Sequence, residues 1–281
     1  VVPLVGRARP LVGTPGRGGA VGGMTSAMPS LYEIDVMLHA SAGGVALVTM
    51  ALPLVARKGG RLHRVAGWVF VVALAIVAVT GVGISLAWLL DPLGTKLAGH
   101  ALAPAEAAQA AAGLRQAGLF FGFLALLVGV AVWNGVVAIR RRRGTLAWGH
   151  RVDRACAWAL TGGGALLLIA GVAWRAPIFA AFGGLGVVGG VADLRFHRVG
   201  RADAQVWLRR HLQAMLGGAT AATTAFAVQV VGRMLGETFG AWMLAVWLLP
   251  VALGSGLSVW WTRRVEAGRE RGYAERRDRH G

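Results

Sequence analysis

Residues 39–82 read HASAGGVALVTMALPLVARKGGRLHRVAGWVFVVALAIVAVTGV. Two apolar runs flank a short basic turn, Arg57 to Arg64. Each run approaches the roughly 20 residues that carry an α-helix across a hydrocarbon core about 30 Å thick. This hairpin decides the fold class, because a basic turn between two spans is a membrane topology signal rather than a soluble surface.

Outward from the hairpin the same alternation repeats. Apolar helical segments are predicted over 31–56, 65–90, 116–139, 155–174, 177–192, 211–232 and 239–261. The expectation is an all-α, polytopic transmembrane bundle of about seven helices occupying 31–262. Residues 91–115 read as a longer, mildly polar connection, and 140–154 and 193–210 as polar turns. Before the bundle, 1–30 is a Gly/Pro/Arg-rich extension without a long apolar run and is expected to be disordered. It begins Val1-Val2, read either as an alternative start codon or as sequence preceding a start at Met24 or Met28. After the bundle, 263–281 reads as a charged cytoplasmic tail.

Composition agrees. Of 281 residues 56% are hydrophobic and 15% charged, with mean hydropathy +0.60. Soluble domains carry roughly 25% charge. The net charge of +17 would suggest nucleic acid in a soluble chain. Here the bases sit in short turns without a basic face of interleaved aromatics, which argues against nucleic acid and leaves the lipid bilayer as the expected partner. A homo-oligomer or a membrane partner protein is the remaining partner class. Arginine far outnumbers lysine in an Ala/Gly/Val-rich chain, the coding signature of a GC-rich bacterial genome. A single cysteine, Cys156, excludes an internal disulfide and a cysteine metal cluster.

Charge asymmetry gives the orientation. The turns 57–64, 140–154 and 193–210 and the tail together hold 22 of the 29 Lys and Arg. The positive-inside rule then places the N-terminus outside and the C-terminus in the cytoplasm of a bacterial plasma (inner) membrane. Trp68, Trp148, Trp207, Trp260 and Trp261 fall near the inner interface, and Trp88, Trp174 and Trp242 near the outer one. His-Arg-Val recurs at 63–65, 150–152 and 197–199, either a trace of duplicated hairpins or a reuse of interfacial bases.

Candidate chemistry rests on histidines. His63 precedes Gly67 by one turn, and His211 opens a stripe through Met215, Gly218, Ala222, Ala225 and Gln229. Histidine is a common axial haem ligand, so His63 and His211 are candidate haem b ligands, with His39 and His150 as weaker ones. Arg61, Arg64, Arg209 and Arg210 stand close in sequence for the propionates. The plainer reading is that interfacial histidines contact lipid phosphates or helix-end carbonyls. His39 precedes Arg57 by 18 positions, or about 27 Å at helical rise, so it cannot share an iron with His63.

No Asp or Glu lies at the middle of a predicted helix, and no Walker loop, GxSxG or HExxH is present. No catalytic residue and no metal cluster stands out, and Asn134, Gln229, Thr223 and Thr224 are expected to hydrogen-bond between helices. Gly186 with Gly190, and Gly218 with Ala222, form small-xxx-small pairs suited to close helix packing.

The run His39-Ala40-Ser41-Ala42-Gly43, then Arg57-Lys58-Gly59 and His63-Arg64 with Gly67, resembles the start of a family of bacterial predicted membrane proteins, the domain of unknown function 2306 type. Ala192-Asp193-Leu194-Arg195 and Arg210-His211-Leu212 with Met215 resemble its second half. The arginine run 140–143 and the N-terminal extension depart from it. The resemblance implies a multi-pass membrane protein and carries no substrate, cofactor or catalytic residue. The leading reading is a multi-pass membrane protein whose molecular activity the sequence does not determine, with a haem b electron-transfer or redox protein and a small-molecule permease or membrane-complex subunit as the alternatives.

Overall fold

The computed structural model describes residues 30–142, 150–198, 204–236 and 242–278. For His150, Arg198, Ala204 and 265–278 it describes the backbone only. The expectations placed on 1–29, Trp148, Val199, Phe239 and the His150 side chain lie outside the described residues.

Seven helices make up the described chain: α1 Leu31–Val55, α2 Arg61–Leu90, α3 Pro104–Arg142, α4 His150–Ala173, α5 Pro177–Arg198, α6 Ala204–Leu235 and α7 Met243–Asp278. All seven contain a stretch long and apolar enough to cross a membrane, as a multi-pass membrane protein requires. Large apolar side chains point outward along them, among them Val48, Val79, Leu166, Val188 and Leu253, each at least 65% exposed. An apolar exterior on this scale belongs against lipid.

Local chemistry fixes the ends. Ser30 and Glu33 form a reciprocal capping box on α1, with Glu33 N–H donating to Ser30 Oγ at 3.3 Å and Ser30 N–H to Glu33 Oε2 at 2.8 Å. At the other end of α1, Lys58 Nζ donates to the Pro53 and Leu54 carbonyls at 2.7 Å. That ammonium also lies 4.8 Å over the Trp261 ring, tying the α1–α2 turn to α7. Partial burial lowers the Lys58 pKa from its ordinary value. Between α4 and α5, Arg175 takes φ 51°, while Ala176 N–H reaches Gly171 O at 2.8 Å and Arg175 N–H reaches Val172 O at 3.2 Å. That paired closure ends α4, and Pro177 then opens α5.

Three sequence-based boundaries are corrected. α3 begins at Pro104, so 104–115 is helix rather than connection. Proline at the first position, Glu106 accepting from Ala103 N–H at 3.2 Å, and the alanines that follow all favour an early start. The expected turn 193–210 is helical at both ends, through Arg198 on α5 and from Ala204 on α6. Asp193 and Arg210, one at each end of it, pair with each other inside the bundle and have no need to leave the helix. α7 runs on through the tail to Asp278.

The bundle is built around α3 and α6. α3 packs on α2, α4 and α6, and α6 on α1, α3 and α7. On one side of this pair, Ala46, Phe70, Ala73, Leu74 and Val132 form a small core with Met215, Ala219 and Ala222 against it. On the other, Phe120 sits at the centre of an aromatic core, edge-on to Trp247 at 5.1 Å and to Phe182 at 5.5 Å. α4 and α5 share the most extensive helix contact, and glycine is the reason. A Cβ on Gly164 would lie 2.7 Å from Val187 N and 2.8 Å from Gly183 O. Cβ atoms on Gly171, Gly183 and Gly190 would also meet backbone of the facing helix. Gly186 and Gly190 therefore face another helix, as their spacing predicts.

Candidate functional site

One end of the bundle brings together the ends of α1, α3 and α5 and the starts of α2, α4 and α6. Four helices meet there in a buried polar network. From α3, Trp133 Nε1 donates to Asp153 Oδ1 of α4 at 2.8 Å, and Asn134 Nδ2 donates to Asp193 Oδ2 of α5 at 2.9 Å. Asp153 is ion-paired with Arg141 of α3, with side chains 1% and 8% exposed. Arg210 of α6 pairs with Asp193 Oδ1 at 3.0 Å and stacks 3.6 Å over the Phe196 ring. Trp207 packs edge-on to Phe196 at 5.3 Å and lies under Arg141. His197 stands within electrostatic reach of both carboxylates and both guanidiniums, and its Nε2 is buried without a hydrogen-bond partner.

Two carboxylates and two guanidiniums balance. Removing a charge from such a setting without its partner is strongly unfavourable, so the network locks the ends of α3, α4, α5 and α6 in register. Of its members Asn134 and Arg210 stand among the sequence candidates: Asn134 makes an interhelical bond, while Arg210, a propionate candidate, pairs with Asp193 instead. Thr224 instead bonds its own helix, at Thr220 O. Thr223 does the same at Ala219 O and reaches across to Met50 Sδ at 3.7 Å.

The sequence did hold a signal for the network. Gly183, Gly186, Gly190, Asp193 and His197 advance by steps of three and four, one stripe on one helix face. A seam that begins in glycine and ends in Asp and His carries its polar residues inside the bundle.

The histidine candidates divide by end. His63 on α2 and His211 on α6 are electrostatic neighbours at the basic end. His63 Nδ1 lies 3.1 Å from Pro53 O, and His211 Nδ1 lies 2.9 Å from Gly135 O. A carbonyl oxygen only accepts, so both Nδ1 atoms carry the proton. In its neutral form each ring then carries its lone pair on Nε2. His39 lies deep on the opposite half of α1, its Nδ1 3.1 Å from Thr80 Oγ1, whose own hydrogen goes to Ile76 O. His100 is exposed in the α2–α3 connection.

The small residues beside the pair differ. A Cβ on Gly67 would meet nothing within 4 Å, so the space next to His63 is open. A Cβ on Gly218 would lie 2.8 Å from Leu74, so that side is filled. Arg210 is committed to Asp193 and is not a free cation for a bound anion. Among the described residues no three His, Cys, Asp or Glu converge as a metal cluster. Comparison with protein-family models, curated proteins and solved structures finds no match to this chain.

Proposed function

We propose that this chain is a haem b-binding electron-transfer protein of a bacterial plasma membrane, holding its cofactor through His63 and His211. The observation that carries the reading is the shared state of these two rings. Each is oriented by a backbone carbonyl at Nδ1, which in the neutral ring leaves the lone pair on Nε2, the way metal-bound imidazoles are held in proteins. Haem supplies one-electron redox chemistry when bound.

The remaining roles belong to the chain. The Pro53 and Gly135 carbonyls fix the two tautomers. Open space at Gly67 gives a planar ligand room beside His63. The charge asymmetry supports an external N-terminus, a cytoplasmic tail and a site at the inner face. The paired His39 and His63 segments support kinship with the membrane-protein family the sequence resembles.

A visible spectrum of the purified chain from haem-replete cells, oxidised and dithionite-reduced, tests the proposal. The expected result is a reduced α-band that disappears in His63→Ala and in His211→Ala. A colourless protein overturns it and favours a carrier or complex-subunit role built on the Arg141–Asp153 and Arg210–Asp193 pairs.

A further inference from the structure

On the outer face of α2, Arg61, Arg64, Trp68, Val72 and Ile76 fall in one stripe, spaced three or four residues apart. Their chemistry changes along it in order: two exposed guanidiniums, an indole that is 51% exposed, then aliphatic side chains. The aliphatic part is not a plain ridge. With Val45 of α1 it borders an open groove of about 350 Å³, lined by Val45, Trp68, Val69, Val72, Ala73 and Ile76, with no polar lining. Trp68 stands where the groove meets the basic end. Arg64 is about 6 Å and Arg61 about 10 Å from it along the helix axis at helical rise.

We infer that this stripe is a binding site for an anionic phospholipid of the surrounding leaflet, with one acyl chain in the α1–α2 groove and the phosphate at Arg61 and Arg64. The occupant follows from charge and shape together. A groove without polar lining takes a hydrocarbon chain, and lipid is what surrounds it. Cations one and two turns beyond the groove take a negative headgroup at the depth where lipid phosphates lie. An indole between the two is amphipathic in the same sense as the ester region of a lipid. Arg64 is also braced, since its Nη1 donates to Gly59 O at 3.0 Å and leaves the rest of the guanidinium facing outward. A zwitterionic lipid meets the groove equally well and satisfies the arginines less. The site is independent of haem, because its groove faces lipid and not the α2–α6 contact.

Native mass spectrometry of the full chain tests this, with dioleoyl phosphatidylglycerol and dioleoyl phosphatidylcholine at equal concentration. Each surface arginine is worth roughly fivefold in anionic-lipid binding. The expected result is at least tenfold preferential retention of phosphatidylglycerol, lost in the Arg61→Gln/Arg64→Gln variant. Val72→Trp fills the groove while keeping both arginines, and it should also lose the retained lipid. Equal retention of the two lipids by the wild type overturns the inference. So does an arginine variant that keeps its preference, a Val72→Trp variant that binds as before, or displacement by millimolar inorganic phosphate, which would reduce the site to an anion contact. The two variants alter different exposed residues, so each can overturn the inference alone.

Discussion

Arg141 and Asp153 form an ion pair between α3 and α4, and the second Asp153 oxygen is closed by Trp133 at 2.8 Å. Both side chains are withdrawn from solvent, so neither charge has water to fall back on. Removing one partner of a buried pair typically destabilises by about 3–5 kcal/mol. Arg141→Gln and Asp153→Asn should each lower thermal stability in detergent by that order. The double variant Arg141→Met/Asp153→Leu should recover most of the loss, because it leaves no charge behind. Melting of Arg141→Gln at the wild-type temperature would contradict the pairing.

The α4–α5 seam makes a paired prediction about glycine. Gly164→Ala places a Cβ against backbone of α5, which cannot swing away as a side chain could, and overpacking of this kind destabilises by about 1–3 kcal/mol. Gly162, two residues earlier, has nothing within 4 Å of its Cβ position, and Gly162→Ala should be neutral or stabilising by up to about 1 kcal/mol. Gly186→Leu and Gly190→Leu should behave as Gly164→Ala does, more severely. Unfolding curves for the four variants in one detergent decide the matter, and equal stability of Gly164→Ala and Gly162→Ala would refute the seam.

His39 separates a ligand role from a packing role. It bonds Thr80 in the other half of the bundle, so His39→Ala should leave the position and height of any haem α-band unchanged. It should still lower stability by roughly 1 kcal/mol through the lost hydrogen bond. Loss of the band in His39→Ala alone would move the cofactor to the opposite end.

Topology can be read by labelling. In a Cys156→Ser background, Gly59→Cys and Lys96→Cys place single thiols in the turns on opposite sides. A membrane-impermeant maleimide applied to intact cells should label position 96 and reach position 59 only after lysis. The reverse pattern would invert the orientation.

Much of this architecture was legible because hydropathy reports the solvent around each segment. Leu31 and Leu90 bound their helices within a residue of the structure, since polarity changes sharply there. Helix ends beyond the bilayer were harder, because hydropathy says nothing of backbone state once a segment leaves lipid. Residues 104–115 and the continuation of α7 are helices of mixed polarity, and for that reason they read as a connection and a charged tail. The ionic network failed differently. Asp153 and Arg210 look like ordinary turn charges in sequence, only the glycine stripe of α5 marks Asp193 as inward-facing, and the meeting of four helix ends is what pairs them. The His63–His211 association fell between these cases, since counting turns set both at one end and the fold supplied their proximity.

Backbone contact between α4 and α5 also governs how this sequence can drift. Every amino-acid replacement of glycine brings in at least one further carbon, so Gly164, Gly171, Gly183 and Gly190 have no substitute that preserves the contact. Leu166, Ile169 and Val188, on the same two helices but facing outward, can exchange among aliphatic residues freely. A library of random variants scored for folded protein in the membrane should therefore show a sharp line of intolerance along one face of each helix. It should continue without a break through Asp153 and Asp193, where the residue type that cannot be replaced changes from the smallest to a charged one.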